Sequence, residues 1–340
     1  MIPVSQALAA LFDLTRMMPV EWVPLTKAAG RVLRQRVHTD LRQPPFDSSA
    51  MDGYAIGDQD MPAGTSLRVI GESAAGHPFA GSVQPGTAVR IFTGGVVPPG
   101  ATRVVIQEDV TRDGDTIRIQ DDADPGPYIR PAGSDFAPGF TLSAPRRLTP
   151  NDVALLAAMN IAQVPVSRRP VVALMSTGDE LVMPGDTPGV GQIIASNTFG
   201  LQAMIRATGA EARILPIARD TEASLRLGFE LARTADLVIT IGGASVGDHD
   251  LVARVSADLG VDWAFHKVAM RPGKPLMSGR MGDQMMIGLP GNPVSAMVCG
   301  TVFGLPLLRK MLGLGSEPLP MQEAPLGVDL PQNGPRTHYL

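Results

Sequence analysis

Between residues 168 and 316, short β-rich runs alternate with longer amphipathic ones, and this alternation constrains the fold more than any other feature of the chain. PVVALM reads as a strand, NTFGLQAMIRATG as a helix, ARILPIA as a strand and TEASLRLGFELARTA as a helix. DLVITI, DLVARVSADLG, VDWAFHKVAM and MMIGLPGNPVSAMVCGTVFG continue the pattern. Strands separated by helices are joined by crossovers rather than hairpins, which makes neighbouring strands parallel and places helices on both faces. The expected fold is therefore α/β, a doubly wound and mostly parallel sheet. Ligands of such sheets lie beyond the carboxyl ends of the strands.

The rest of the chain differs in character. At 340 residues it exceeds what one hydrophobic core usually fills, so several domains are expected. From about 65 to 147, SLRVI, AVRIF, RVVIQEDV and TIRIQ are short β-rich runs, with RDGD marking a hairpin turn between the last two. Residues 5 to 40 read as helical, with Leu8, Leu11 and Phe12 on one face, Ser5 as N-cap, and LTKAAGRVL repeating the pattern after Pro24. LTPNDVALLAAMNI starts another helix, with Thr149 at N-cap, Pro150 at N1 and Asp152 at N3. The reading is a helical linker domain (1–46 and 148–167), an all-β insert domain (47–147) and the α/β domain (168–316).

Composition excludes some classes of partner. A formal net charge of −4 gives no electrostatic reason to expect nucleic acid. The single cysteine, Cys299, cannot form an internal disulfide or a cysteine metal cluster, which suits a reducing cytoplasm. The N-terminus lacks the basic region of a signal peptide, and Asp13 and Arg16 interrupt its apolar run. Residues 284–308 carry no charge but contain three prolines and four glycines, and read as strand, loop and buried helix rather than a membrane span. No membrane partner is expected.

Four loops follow strands in the α/β region: STGDEL, ARDT, GGASVGDHD and GLPGNPVSA. Each glycine loop can be a turn that needs glycine or proline for geometry alone, or a ligand-facing loop; four loops at one sheet edge favour a crevice. Asn292 can cap a helix beginning at Pro293, whose free N–H groups suit an oxyanion. Lys267, Arg271 and Lys274 in FHKVAMRPGKP are held among Pro272, Gly273 and Pro275, so they do not form one face of a helix and favour anion binding. Asp52, Asp179, Glu180, Asp220, Asp248 and Asp250 are loop-bound carboxylates. Beside a polyphosphate they make sense where Mg2+ bridges them; singly, each can be a helix cap, Asp179 and Asp220 above all. QPPFDSSAMDGYAI, at the junction with the β insert, suggests a cleft lining. His38, His77, His249, His266 and His338 show no zinc-ligand spacing, and no Ser–His–Asp arrangement can be assigned.

Taken together, PPFDSSAMDGYA, RIFTGGVVPPGA, VVIQED, RPAGSDF, STGDEL, GGASVGDHD, FHKVAMRPGKP and GLPGNPVSA resemble the molybdopterin molybdenumtransferase family, related to the C-terminal part of gephyrin. The resemblance runs in order through nearly the whole chain. It implies that adenylylated molybdopterin and molybdate are converted to molybdenum cofactor and AMP with Mg2+ assisting. It further implies a cytoplasmic homodimer acting after a molybdopterin adenylyltransferase. Carried over by motif, Asp52, Thr93, Asp135, Glu180, Asp220 and Asp250 fall on the family's catalytic positions, with Asp52, Glu180 and Asp250 toward the metal. Gly242, Gly243, Ser245, Gly247, Lys267, Arg271, Lys274, Pro290, Asn292 and Ser295 fall on its substrate-binding positions. Arg271 stands where a lysine is common, and Ala195 replaces an aspartate often seen before the Ser-Asn pair. Family members usually continue into a small C-terminal β domain, and residues 317–340 resemble the start of a truncated one. Two other functions are compatible with parts of the chain: a molybdopterin adenylyltransferase, which needs only the α/β region, and a gephyrin-like scaffold without activity.

Overall fold

The computed structural model describes every residue except 61, 244–250, 331 and 333. The chain divides into two compact units, one of Met1–Gln35, Ala144–Val153 and Gln163–Leu340, the other of Arg36–Ser143 and Ala154–Ala162.

The first unit is built on a six-stranded sheet. Its strands lie in the order Glu211–Ile214, Val171–Ser176, Leu237–Ile241, Gln284–Leu289, Met277–Met281, Asp262–Phe265. The first four are mutually parallel, and the last two join antiparallel. The sheet is thus mixed, more so than the alternation implies. Met277–Met281 is a strand the pattern does not reveal; it turns at Gly282 and Asp283 into Gln284–Leu289, with Met281 opposite Gln284. Successive strand residues point to opposite faces. Val172, Leu174, Ile239, Ile241 and Ile287 bury against helices Val4–Leu14, Asn197–Ala207 and the run beginning at Pro293. Ala173, Met175, Val238 and Met286 bury against Glu222–Ala232 and Leu251–Asp258. Both faces are covered, as a doubly wound sheet requires. Each fully buried Leu or Ile stabilises this core by roughly 1.5–3 kcal/mol.

The helical run from Pro293 to Met311 is long and apolar enough to cross a membrane, but Ala296, Cys299, Phe303, Leu307 and Leu308 are buried in the sheet's core. That packing accounts for the absence of charge from Pro293 to Leu308; Arg309 and Lys310 fall in the last turn. Burial pushes the Cys299 thiol up to about 12, so it behaves as a small apolar side chain.

The N-terminal segments correct the helical reading. Val4–Leu14 is a helix, with Leu8, Leu11 and Phe12 buried as expected, but Pro3 rather than Ser5 precedes it. LTKAAGRVL is not a second helix. Leu25–Lys27 forms a single 3-10 turn, Gly30 adopts φ +72°, and Val32–Leu33 is a strand. Glycine breaks the helical run at that φ, and the apolar Val32 and Leu33 gain more from strand pairing in a four-stranded sheet of Val20–Pro24, Gln163–Ser167, Val32–Leu33 and Arg146–Arg147.

The second unit contains a six-stranded sheet ordered Arg103–Ile106, Gly53–Ile56, Thr87–Ile91, Ser66–Ser73, Thr116–Ile119, Val110–Asp113. Tyr54, Ile56, Leu67, Val105 and Ile117 bury in one cluster, Ala55, Val89, Ile91 and Val104 in another. RDGD forms the hairpin, with Asp113 opposite Thr116.

Candidate functional site

Because four strands of the first unit are parallel, their carboxyl ends share one edge, and the loops that follow them enclose a cleft of about 900 Å³. Ser176, Thr177, Gly178 and Glu180, Asp220, Gly242 and Gly243, and Pro290 to Pro293 contribute to its wall, joined by Ile193–Ile194 and by Leu251, Val252 and Arg254. Backbone contacts lock these loops together: the Gly242 N–H donates to Leu289 O (3.1 Å), and Thr177 N–H to Ile241 O (2.9 Å). Asn197 Nδ2 donates to Gly291 O (2.7 Å), tying a helix start to the fourth loop. Asn292 caps the helix Pro293–Cys299, its Oδ1 accepting the Ser295 N–H at 3.1 Å, and Ser295 is buried beneath it.

Glu180 and Asp220 are the carboxylates among the described lining residues. Partial desolvation, then the negative charges of Asp179 and Glu180, hold the Asp220 carboxyl above its ordinary value. Neither Asp179 nor Asp220 is a helix cap: Asp179 Oδ1 accepts the Asp220 N–H at 3.1 Å across two loops, and Thr221 caps helix Glu222–Ala232 by accepting the Ser224 N–H. Arg219, which sequence reasoning passed over, fixes the glutamate-bearing loop. Its Nη1 donates to Asp179 O (2.9 Å), Leu181 O (3.0 Å) and Gly178 O (3.4 Å). The signal available was an arginine beside a loop aspartate, which does not announce carbonyl clamping. The donor set at this place is all oxygen and all loop-borne, chemistry that suits a hard dication or a ligand hydroxyl rather than zinc.

Asp52, Thr93 and Asp135 belong to the second unit. Asp52 Oδ1 accepts both the Thr93 N–H (2.8 Å) and the Thr93 hydroxyl (2.7 Å). The Thr93 N–H, then its hydroxyl, with Arg90 adding a positive charge, hold the Asp52 carboxyl below its ordinary value, so it is a settled carboxylate near neutrality. Arg90 lies over the rings of Tyr54 and Phe92, at 5.0 and 4.7 Å, and was not distinguished in the sequence. Asp135 pairs with Arg130, and its N–H donates to Gln43 O at 2.9 Å.

Lys267, Arg271 and Lys274 lie between strands Asp262–Phe265 and Met277–Met281. None of the three lines the cleft, although Pro275 does. Ser245, Gly247 and Asp250 lie outside the described residues, as does Asp248. Among the described residues no group of three or more His, Cys, Asp or Glu side chains is placed to hold a metal by itself.

The chain is similar to known proteins along most of its length. Residues 2–160 match the MoeA N-terminal region (domain I and II), and residues 173–310 match the probable molybdopterin binding domain. A molybdopterin molybdenumtransferase from Nostoc sp. is 39% identical over 311 residues, covering 88% of this chain and 71% of the relative. A molybdopterin molybdenumtransferase 2 from Mycobacterium tuberculosis is 41% identical over 322 residues, covering 91% of this chain and 79% of the relative. The crystal structure of a molybdopterin biosynthesis MoeA protein from Pyrococcus horikosii matches with a TM-score of 0.78 at 34% identity, over 92% of this chain and 80% of that one.

Proposed function

The chain belongs to the molybdopterin molybdenumtransferase family, and from that membership we propose that it inserts molybdate into adenylylated molybdopterin to give molybdenum cofactor and AMP. The observation that carries this reading is the cleft, in which four loops of the molybdopterin-binding region, three of them bearing glycine or proline, meet around Glu180 and Asp220. Its volume, about 900 Å³, suits a ligand of pterin-nucleotide size. An adenylyltransferase would leave the match over residues 2–160 without a purpose, and a scaffold would have no need of the enclosed carboxylates.

The crowding that raises the Asp220 carboxyl is the situation a dication relieves, and Mg2+ takes one or two carboxylates while keeping waters and substrate phosphates as its other ligands. The residues present therefore fit Mg2+, which Glu180 and Asp220 would hold, with Asp250 a further carboxylate that the family pattern points to. When bound, the ion neutralises phosphoryl charge and makes the phosphorus more electrophilic. The chain's own groups orient the substrate: the Gly242–Gly243 turn lets the ligand approach the backbone, and Arg219 keeps the Glu180 loop rigid. Family membership supports a homodimer, cytoplasmic and supplied by a molybdopterin adenylyltransferase.

Incubation with adenylylated molybdopterin, molybdate and Mg2+ tests the reading. AMP should appear in step with molybdenum uptake, and Glu180→Gln should slow its release at least about tenfold. No AMP from the unaltered protein would end the proposal.

A further inference from the structure

The cleft's charge does not balance around the sequence's expected cations. Its described ionisable lining residues are Glu180, Asp220 and Arg254. A substrate bearing several negative charges must enter beside two carboxylates, while Lys267, Arg271 and Lys274 lie off this lining. Arg254 is therefore the cation on hand.

Three observations make Arg254 more than a solvated surface arginine. First, helix Leu251–Asp258 buries Val252, Val255 and Ser256, while Leu251 and Arg254, three residues apart and so on one side, line the cleft. Second, neighbouring arginines are committed: Arg226 to Glu222 (2.8 Å) and Asp258 (3.3 Å), Arg219 to three loop carbonyls. Among the described residues Arg254 makes no ion pair or side-chain hydrogen bond. Third, the same cleft holds a second unspent donor. Thr177 is 3% exposed, and among the described residues its hydroxyl has no hydrogen-bond partner. It lies against the Gly242–Gly243 turn, where a Cβ on either glycine would stand 3.0 Å from Thr177 Oγ1. A buried hydroxyl without a partner is costly, and a ligand oxygen would satisfy it.

Resting on the molybdenumtransferase reading, we propose that Arg254 is an anion-binding residue of the cleft, holding a substrate oxyanion by its planar fork of donors, with the Thr177 hydroxyl a further donor to the bound substrate. The oxyanion is a phosphoryl group of adenylylated molybdopterin or molybdate itself, both of which present tetrahedral oxygens to such a fork.

Calorimetric titration with adenylylated molybdopterin, and separately with molybdate, tests this on Arg254→Gln, Arg254→Lys, Thr177→Val and, as a remote control, Arg233→Gln. Arg254 is exposed, so its replacement should leave the melting temperature unchanged. Arg254→Gln should weaken one ligand by roughly tenfold or more and flatten that ligand's salt dependence, while Arg254→Lys recovers part of the loss. A loss confined to adenylylated molybdopterin assigns the phosphoryl group; a loss confined to molybdate assigns the metal oxyanion. Thr177→Ser should keep the affinity that Thr177→Val loses. Equal affinity of Arg254→Gln and the unaltered protein for both ligands overturns the role of Arg254. Failure of the unaltered protein to bind either ligand overturns the functional reading, and this inference with it.

Discussion

Gly242 shows how a single backbone position holds the cleft open. Its φ is +96°, a region that residues with a Cβ avoid, and a Cβ there would stand 2.6 Å from the carbonyl oxygen of Thr177. That carbonyl belongs to the neighbouring loop, whose N–H is already bonded to Ile241, so the obstacle is backbone and cannot swing away. Gly242→Ala should therefore lose about 2 kcal/mol of stability, adding the left-handed penalty to the displacement of the Thr177 loop. Urea unfolding reads this directly, and an unchanged midpoint would mean that the turn is free to relax. At this scale the sequence is informative about glycine and silent about partners. GGASVGDHD announces positive φ and close approach, but nothing in ARDT reveals that Arg219 clamps three carbonyls, and nothing in DLVARVSADLG shows that Arg254 faces a ligand cleft. Those roles arise when distant segments meet.

Among the elements, the helix after Leu148 is the one whose start is most fully written in the sequence. Asp152 Oδ2 accepts the Thr149 N–H (2.8 Å) and hydroxyl (2.8 Å), and the Asp152 N–H donates back to Thr149 Oγ1 (3.2 Å). Burial alone would raise the Asp152 carboxyl, but these bonds and Arg146, 3.2 Å away, outweigh it and hold the group below its ordinary value. Asp152→Ala should cost about 1–2 kcal/mol, since it removes the reciprocal cap and leaves Arg146 unpaired; Asp152→Asn, which keeps an acceptor, should cost less. Thermal melts of both variants at neutral pH check the order. Local chemistry of this kind is legible because its partners are three residues apart. The same holds for the RDGD hairpin and for Asn292 above Ser295. Met277–Met281 was hidden because MSGRM has no β-branched residue and no alternation, and its strand state comes from pairing with Gln284–Leu289. LTKAAGRVL failed in the opposite sense: a helical pattern lost to a glycine at positive φ and to a sheet assembled from segments more than a hundred residues away.

For the whole molecule, the carboxylates of the cleft set function against stability. Linkage fixes the sign. Asp220 titrates above its ordinary value of 3.8 in the folded chain, so folding favours its protonated form. Its contribution to stability is greatest below the unfolded value and is lost as pH rises through the folded one, leaving an unrelieved charge at neutrality. Asp220→Asn removes that charge. The variant should melt at or above the unaltered protein at pH 7, and the difference should shrink as pH falls below the ordinary value of 3.8, where the Asp220 carboxyl becomes neutral in both states. Mg2+ should raise the melting temperature of the unaltered protein more than that of the variant, because a ligand that binds only the folded state stabilises in proportion to its occupancy. A variant less stable at pH 7 would show that Asp220 serves through its acceptor oxygens, and that crowding by Asp179 and Glu180 is not what governs it. The expected gain in stability should accompany loss of AMP release, since a group kept at a cost to folding is kept for what it binds.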